Sequence, residues 1–233
     1  MTSVDVPRRL AAVRERMARA CRKADRDPFS VTLVGAAKRQ PIEALRAAHR
    51  AGLEVFGENR VQEAEEKIEQ LPEIRTWHLI GPLQSNKARR AVEIFSAVHS
   101  VDRVKIARVL DREAGERGRR LPCFFEVNLG GEETKHGFPA AELAERLAPV
   151  AELSHLQPLG LMAIPPFEED PERSRPWFRR LRELSEALRA STPWSDLPAG
   201  LSMGMSHDFE VAIAEGATHI RVGTALFGPR ETA

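Results

Sequence analysis

No tyrosine occurs among the 233 residues, which removes the phenol from the groups that could move a proton here. Cysteine is almost as scarce: Cys21 and Cys123 lie far apart without the paired spacing of metal ligands, which argues against a disulfide framework and a structural zinc and points to a reducing compartment. A surplus of one charge is missing too. Lys and Arg total 35 against 34 Asp and Glu, so no overall positive field recruits nucleic acid or an anionic membrane. Local pairs such as Arg179 and Arg180 read as solvent-facing. No apolar stretch approaches a membrane span, and Asp5, Arg8, Arg9, Arg14, Glu15 and Arg16 stand where a secretory leader needs an apolar core. The expectation is a cytoplasmic protein that partners neither nucleic acid nor membrane. Without a Gly/Ser linker or composition break, residues 1–233 read as a single domain.

What is present alternates. Leu10, Val13, Met17 and Cys21 recur at helical spacing among Arg and Glu, which predicts an amphipathic N-terminal helix over about 5–24. Short apolar runs then alternate with longer, charged, helix-like segments: Val31 to Ala37, Leu53 to Phe56, Thr76 to Ile80, Ile94 to Val101, Cys123 to Leu129, Leu156 to Ile164, Leu201 to Met205 and His219 to Val222. Such alternation indicates βαβ units in an α/β fold, and eight runs are the number that closes a (β/α)8 TIM barrel. A doubly wound open sheet is the rival architecture. In a barrel the functional residues gather in the loops after the strands. Those places hold Lys38, Glu58 with Asn59, Gly81 with Gln84 to Lys87, Ser100 to Asp102, Asn128 with Lys135, Met162 to Pro166, Ser206 to Asp208, and Gly223 with Thr224.

Lys38 ends an apolar run and delivers a lone amine to the mouth of a buried strand, a setting that suits a Schiff base; a solvated strand end is the plainer alternative. Near the C-terminus, Ser206 and the pair Gly223 and Thr224 follow adjacent late strands. In barrels a phosphate binds between those two loops, on backbone N–H groups and hydroxyls. The alternative is capping, with Ser206 as N-cap of a helix through Phe209 to Ala214. Arg221 precedes Val222 in a short run and should point opposite to it, toward the barrel top. A buried guanidinium needs an acceptor. Beside a pyridine nitrogen it would keep that nitrogen unprotonated and blunt carbanion chemistry; an ion pair with Glu126 or Glu210 is the other possibility.

Between Val31 and Gly228 the chain resembles the pyridoxal 5′-phosphate homeostasis proteins, which are similar to the barrel domain of alanine racemase. The stretches that carry the resemblance are Gly57-Glu-Asn-Arg-Val-Gln-Glu63, Trp77-His-Leu-Ile-Gly-Pro-Leu-Gln-Ser-Asn-Lys87, Gly160-Leu-Met-Ala-Ile-Pro165, Leu201-Ser-Met-Gly-Met-Ser206 with Asp208-Phe-Glu210, and Arg221-Val-Gly-Thr-Ala-Leu-Phe-Gly228. The resemblance implies a fold-type III barrel with pyridoxal 5′-phosphate as an internal aldimine on Lys38. It further implies phosphate contacts from Ser206, Gly223 and Thr224, and Arg221 at the ring nitrogen. Asn59 and Asn128 are expected to orient the pocket, although Asn59 could equally stabilise a turn. Ala37 replaces the Ser that often precedes the family's lysine, and Arg60 the Tyr that often follows its Gly-Glu-Asn.

Absent tyrosine now acquires a consequence. The related racemases set a Lys on one face of the cofactor and a Tyr, from a second domain across a dimer interface, on the other. Losing one partner of a two-base exchange costs roughly 10²–10⁴-fold. His78, His207 or Lys135 are the candidates for a substitute acid, each with a plainer reading as a loop or supporting residue. The expectation is therefore a holder of pyridoxal phosphate without efficient catalysis, with no catalytic and no metal-binding residue assigned. It would be a monomer that passes the cofactor to apoenzymes, with Lys135 and Lys87 as transient acceptors. The alternatives are a pyridoxal-dependent amino-acid racemase and an enzyme that acts on a sugar phosphate.

Overall fold

The computed structural model describes residues 4–132 and 136–229. Its strands are β1 (Thr32–Ala36), β2 (Val55–Glu58), β3 (Thr76–Leu79), β4 (Ala97–Val101), β5 (Leu121–Asn128), β6 (Phe138–Pro139), β7 (Leu156–Met162), β8 (Gly200–Met205) and β9 (His219–Val222). All pairings are parallel; β9 returns to β1 and β4 meets β5, so the sheet closes, with the two-residue β6 appended to β5. The eight remaining strands form the expected barrel rather than an open sheet. Around them lie α1 (Val6–Lys23), α2 (Ile42–Arg50), α3 (Val61–Gln70), α4 (Ala88–Ile94), α5 (Val104–Gly115), α6 (Leu143–Leu147), α7 (Arg175–Arg189), α8 (Phe209–Ala214) and the single turn α9 (Thr224–Phe227). Among the described residues, no helix is long and apolar enough to cross a membrane.

The helix α1 starts where the Asp5 carboxylate accepts the Arg8 N–H at 3.1 Å and Pro7 occupies the first turn, where its missing N–H is harmless. It buries Val6, Leu10, Val13, Met17, Ala20 and Cys21, one stripe at helical spacing, against α8, α9 and α2. Each such apolar side chain contributes roughly 1.5–3 kcal/mol when fully buried. Along the strands, alternation sorts side chains between helices and barrel interior. Phe56 and Trp77 face outward, their ring centroids 5.5 Å apart, with His49 of α2 against Phe56. Their sequence neighbours turn inward, where His78, His99, Phe124 and His219 pack with centroids 4.7 to 6.4 Å apart. The barrel axis is thus aromatic and polar rather than aliphatic.

Two strands begin two or more residues later than their hydrophobic runs. The run Leu53 to Phe56 gives way to a strand two residues later, Val55–Glu58, because Leu53 is buried in the loop after α2. Ile94 closes α4, and the next strand begins only at Ala97. Hydrophobicity marks burial in both places, not strand geometry.

Candidate functional site

Lys38 leaves β1 through the buried Ala37 and a turn in which the Gln40 N–H donates to the Ala37 carbonyl at 2.9 Å. Arg39 takes φ +57°, a left-handed conformation that costs a non-glycine residue roughly 1–2 kcal/mol. The Lys38 side chain is half-buried and has no hydrogen-bond or ion-pair partner among the described residues. It forms one wall of a cavity of about 780 Å³ shared with Asn59, Arg60, Lys87, Arg103 and His136.

The turn is held from α3. Lys67, buried, donates to the Ala37 carbonyl at 2.7 Å, to Glu58 Oε1 at 2.5 Å and to Glu63 Oε1 at 2.8 Å. The same Glu63 oxygen accepts the Arg39 N–H at 2.6 Å, and Glu58 Oε2 accepts the Asn59 N–H at 3.1 Å. Burial pushes the Glu58 carboxyl up, against the opposing pull of Lys67. Burial also works to raise Glu63, but the bonds from Lys67 and the Arg39 N–H prevail and hold it below the usual carboxylate range.

On the neighbouring strand the other group of expected residues comes together. Gly35 of β1 pairs with Val222 of β9, so Lys38 and Gly223 emerge side by side on one rim. Ser206 Oγ accepts the N–H groups of Gly223 at 3.0 Å and Ala225 at 3.2 Å. Ser206 therefore does not cap α8; Asp208 occupies that position, and its side chain accepts the Met205 N–H at 2.7 Å. The Thr224 hydroxyl has no partner among the described residues.

Arg221 is buried below that turn. Its Nη1 donates to the Ser202 carbonyl at 2.7 Å and to Ser202 Oγ at 2.6 Å, and its Nη2 to the Ala163 carbonyl at 2.9 Å. Glu210, one expected partner, instead pairs with Arg16 and Arg19 of α1. Glu126 acts on Arg221 only through its charge: burial lowers the guanidinium to about 10, while Glu126 and Asp208 oppose the fall. Glu126 is itself raised to about 7 by burial and by Asp102.

From Arg221 a polar chain runs along the barrel axis. Ser202 Oγ lies 2.8 Å from His99 Nδ1, and His99 Nε2 lies 3.0 Å from His78 Nδ1. Ser202 Oγ accepts from Arg221 and keeps one hydrogen and one lone pair for His99 Nδ1, so it can bond either tautomer of that ring. Burial holds His78 and His219 near about 4 and His99 well below its ordinary value. All three are neutral at neutral pH.

Other expected residues stand apart. His207 is bonded to the Glu169 carbonyl at 2.9 Å on an exposed loop. Asn128 closes its own loop, through the Glu132 carbonyl at 2.8 Å and the Gly131 N–H at 3.0 Å, and so does not orient the Lys38 pocket as expected. Lys135 lies outside the described residues. Sequence reasoning passed over Lys67, Glu63, Ser202 and His99. The spacing of Glu63 and Lys67, four apart on a helix, was the only available signal for the first two. Among the described residues no group of three or more His, Cys, Asp or Glu could hold a metal ion.

Comparison with known proteins matches residues 9–231 to the family described as alanine racemase, N-terminal domain. The pyridoxal phosphate homeostasis protein of Aquifex aeolicus is 45% identical over 224 residues, 96% of this chain and 97% of that one. Its Escherichia coli K12 counterpart is 39% identical over 231 residues, covering 97% of each. PipY of Synechococcus elongatus, solved with pyridoxal phosphate bound, superposes with a TM-score of 0.84 at 42% identity over 96% of this chain and all of that one. A Clostridium difficile alanine racemase shares the fold alone: 13% identity, TM-score 0.70, with 57% of that chain covered. Identity of this order over the whole barrel leaves one conclusion: the chain belongs to the pyridoxal phosphate homeostasis protein family.

Proposed function

We propose that this protein holds pyridoxal 5′-phosphate through Lys38 in the cytoplasm and serves its homeostasis without efficient catalysis. The observation that carries the proposal is the juxtaposition on one rim of the half-buried Lys38, which has no partner among the described residues, and the Ser206, Gly223 and Thr224 turn. The donors present fit the cofactor. Ser206 and Thr224 would hold its phosphate on their hydroxyls at the start of a helical turn, and the Gly223 N–H would exchange Ser206 Oγ for a phosphate oxygen. Of the five N–H donors of Arg221, three are taken by Ser202 and Ala163, which leaves two, at Nε and Nη2, for a ring nitrogen. Asn59 would line the pocket beside Lys38. When bound, the cofactor supplies an aldehyde carbon that condenses reversibly with a primary amine, with loss of water.

The same residues argue against racemisation. With no tyrosine in the chain, the ring that lines the Lys38 cavity is His136, whose Nδ1 is bonded to Asp102 at 3.0 Å, while burial keeps His78 neutral and bonded to His99. Neither His78 nor the exposed His207 lines that cavity. Recipient apoenzymes and a monomeric working state complete the proposal. Absorbance and borohydride reduction, with the modified lysine located by peptide mass, test it. Label on Lys38, and loss of the band in Lys38→Ala, are expected; an unchanged spectrum in that variant would place the bond elsewhere. Exchange of the α-proton of L-alanine in deuterated water would restore the racemase reading.

A further inference from the structure

Lys67 has three N–H donors, and all three are used, on the Ala37 carbonyl, Glu58 and Glu63. The carboxylates in turn bond the main chain of Arg39 and Asn59. These contacts land immediately before Lys38, immediately after it, and on Asn59. A buried ion pair contributes less to stability than well-packed hydrocarbon in the same place, so stability alone is a poor reason for three charges at this position. We propose that Glu58, Lys67 and Glu63 form a positioning clamp for Lys38. It fixes the backbone on both sides of the amine, holds Arg39 in its left-handed conformation, and keeps both carboxylates away from the amine itself. Glu63 makes the last point concrete, because it lines the same cavity as Lys38 and would be an available counter-ion if Lys67 did not occupy it. The inference rests on the reading of Lys38 as the residue that receives the aldehyde.

Glu63 is the member to perturb, since it is the most exposed of the three, at 24% for the side chain, and its loss leaves the Glu58 and Lys67 pair intact. The full-length wild type, Glu63→Ala, Glu63→Gln and Lys38→Ala would be compared by two measurements. Amide hydrogen exchange at Arg39 is followed in cofactor-free protein. The fraction of Lys38 modified at sub-saturating pyridoxal phosphate is measured by peptide mass after borohydride. Glu63→Ala should speed exchange at Arg39 about tenfold or more, the loss of one hydrogen bond to a charged acceptor, and lower the Lys38 label several-fold. Glu63→Gln should recover much of both, because its amide oxygen still accepts the Arg39 N–H. Wild-type exchange in Glu63→Ala overturns the clamp; so does fast exchange with undiminished labelling, which would make the triad purely structural. If borohydride fixes as much total label in Lys38→Ala as in the wild type, the reading of Lys38 itself fails, whatever the exchange shows.

Discussion

Two buried serines should respond oppositely to the same substitution. Ser202 is fully buried, and its hydroxyl joins Arg221 Nη1 at 2.6 Å to His99 Nδ1 at 2.8 Å. Ser202→Ala removes a bond from a charged donor, worth about 1.5–3 kcal/mol, and strands a buried imidazole nitrogen, worth about 1–3 kcal/mol. Arg221 keeps the Ser202 carbonyl at 2.7 Å, so the two costs overlap, and a net loss of about 2–4 kcal/mol is expected. Ser185, in α7, is 3% exposed, and its hydroxyl has no hydrogen-bond partner among the described residues. Ser185→Ala deletes an unsatisfied group and replaces it with a better helix former, so a gain of about 0.5–2 kcal/mol is expected. Urea unfolding of the cofactor-free protein followed by circular dichroism measures both. A hydrophobic-burial account predicts similar small changes for two deletions of one buried oxygen. Equal midpoints for the two variants, or a lower midpoint for Ser185→Ala than for Ser202→Ala, would refute the hydrogen-bond reasoning.

Stability should fall on acidification. Burial lowers His78 and His219 to about 4 and holds His99 well below the ordinary 6.5. Between those values the unfolded chain binds protons that the native chain does not, so stability is lost as pH falls through that window. Glu126 opposes this: with its carboxyl at about 7 instead of 4.5, the native state holds the extra proton between those values, and its contribution is lost as pH rises. Glu58, also raised by burial, acts in the same direction as Glu126; three imidazoles outweigh the two carboxyls, so the urea midpoint should drop from about pH 7 to about pH 5, and more steeply in Glu126→Gln. A flat profile would contradict neutral histidines along the axis. Gly160→Ala tests barrel closure: at φ +145° a methyl would lie 1.9 Å from the Gly200 carbonyl oxygen of the adjacent strand. Because backbone would have to move, a cost above about 4 kcal/mol is expected, seen as loss of folded protein by circular dichroism. A variant with the wild-type midpoint would show that β7 and β8 can separate there freely.

Legibility in this sequence follows the range of the interactions. Alternating apolar runs report burial, and burial in a βαβ series nearly dictates the barrel, which is why the strand count and the rim positions of Lys38, Ser206 and Gly223 could be read directly. The inward turn of Arg221 was legible for the same reason, from its alternation with Val222. Its acceptors were not. Two are main-chain carbonyls, of Ala163 and Ser202, and a carbonyl is present at every position, so it leaves no mark in composition or spacing. The acidic side chain proposed as partner, Glu210, was drawn off by Arg16 and Arg19 on the N-terminal helix, a competition set by tertiary packing. Lys67 shows the same limit from the other side. In sequence it is one more lysine four residues after a glutamate on a charged helix, the commonest kind of surface pair. What makes it different is Glu58, fully buried at the end of β2, where the hydrophobic run had already ended. A carboxylate can be buried there because an ammonium comes with it, and each half of such a pair looks like surface until the fold supplies the other. Buried polar groups that satisfy one another across elements are therefore the part of a site that sequence patterning hides best, and here they are what surrounds Lys38 and Arg221.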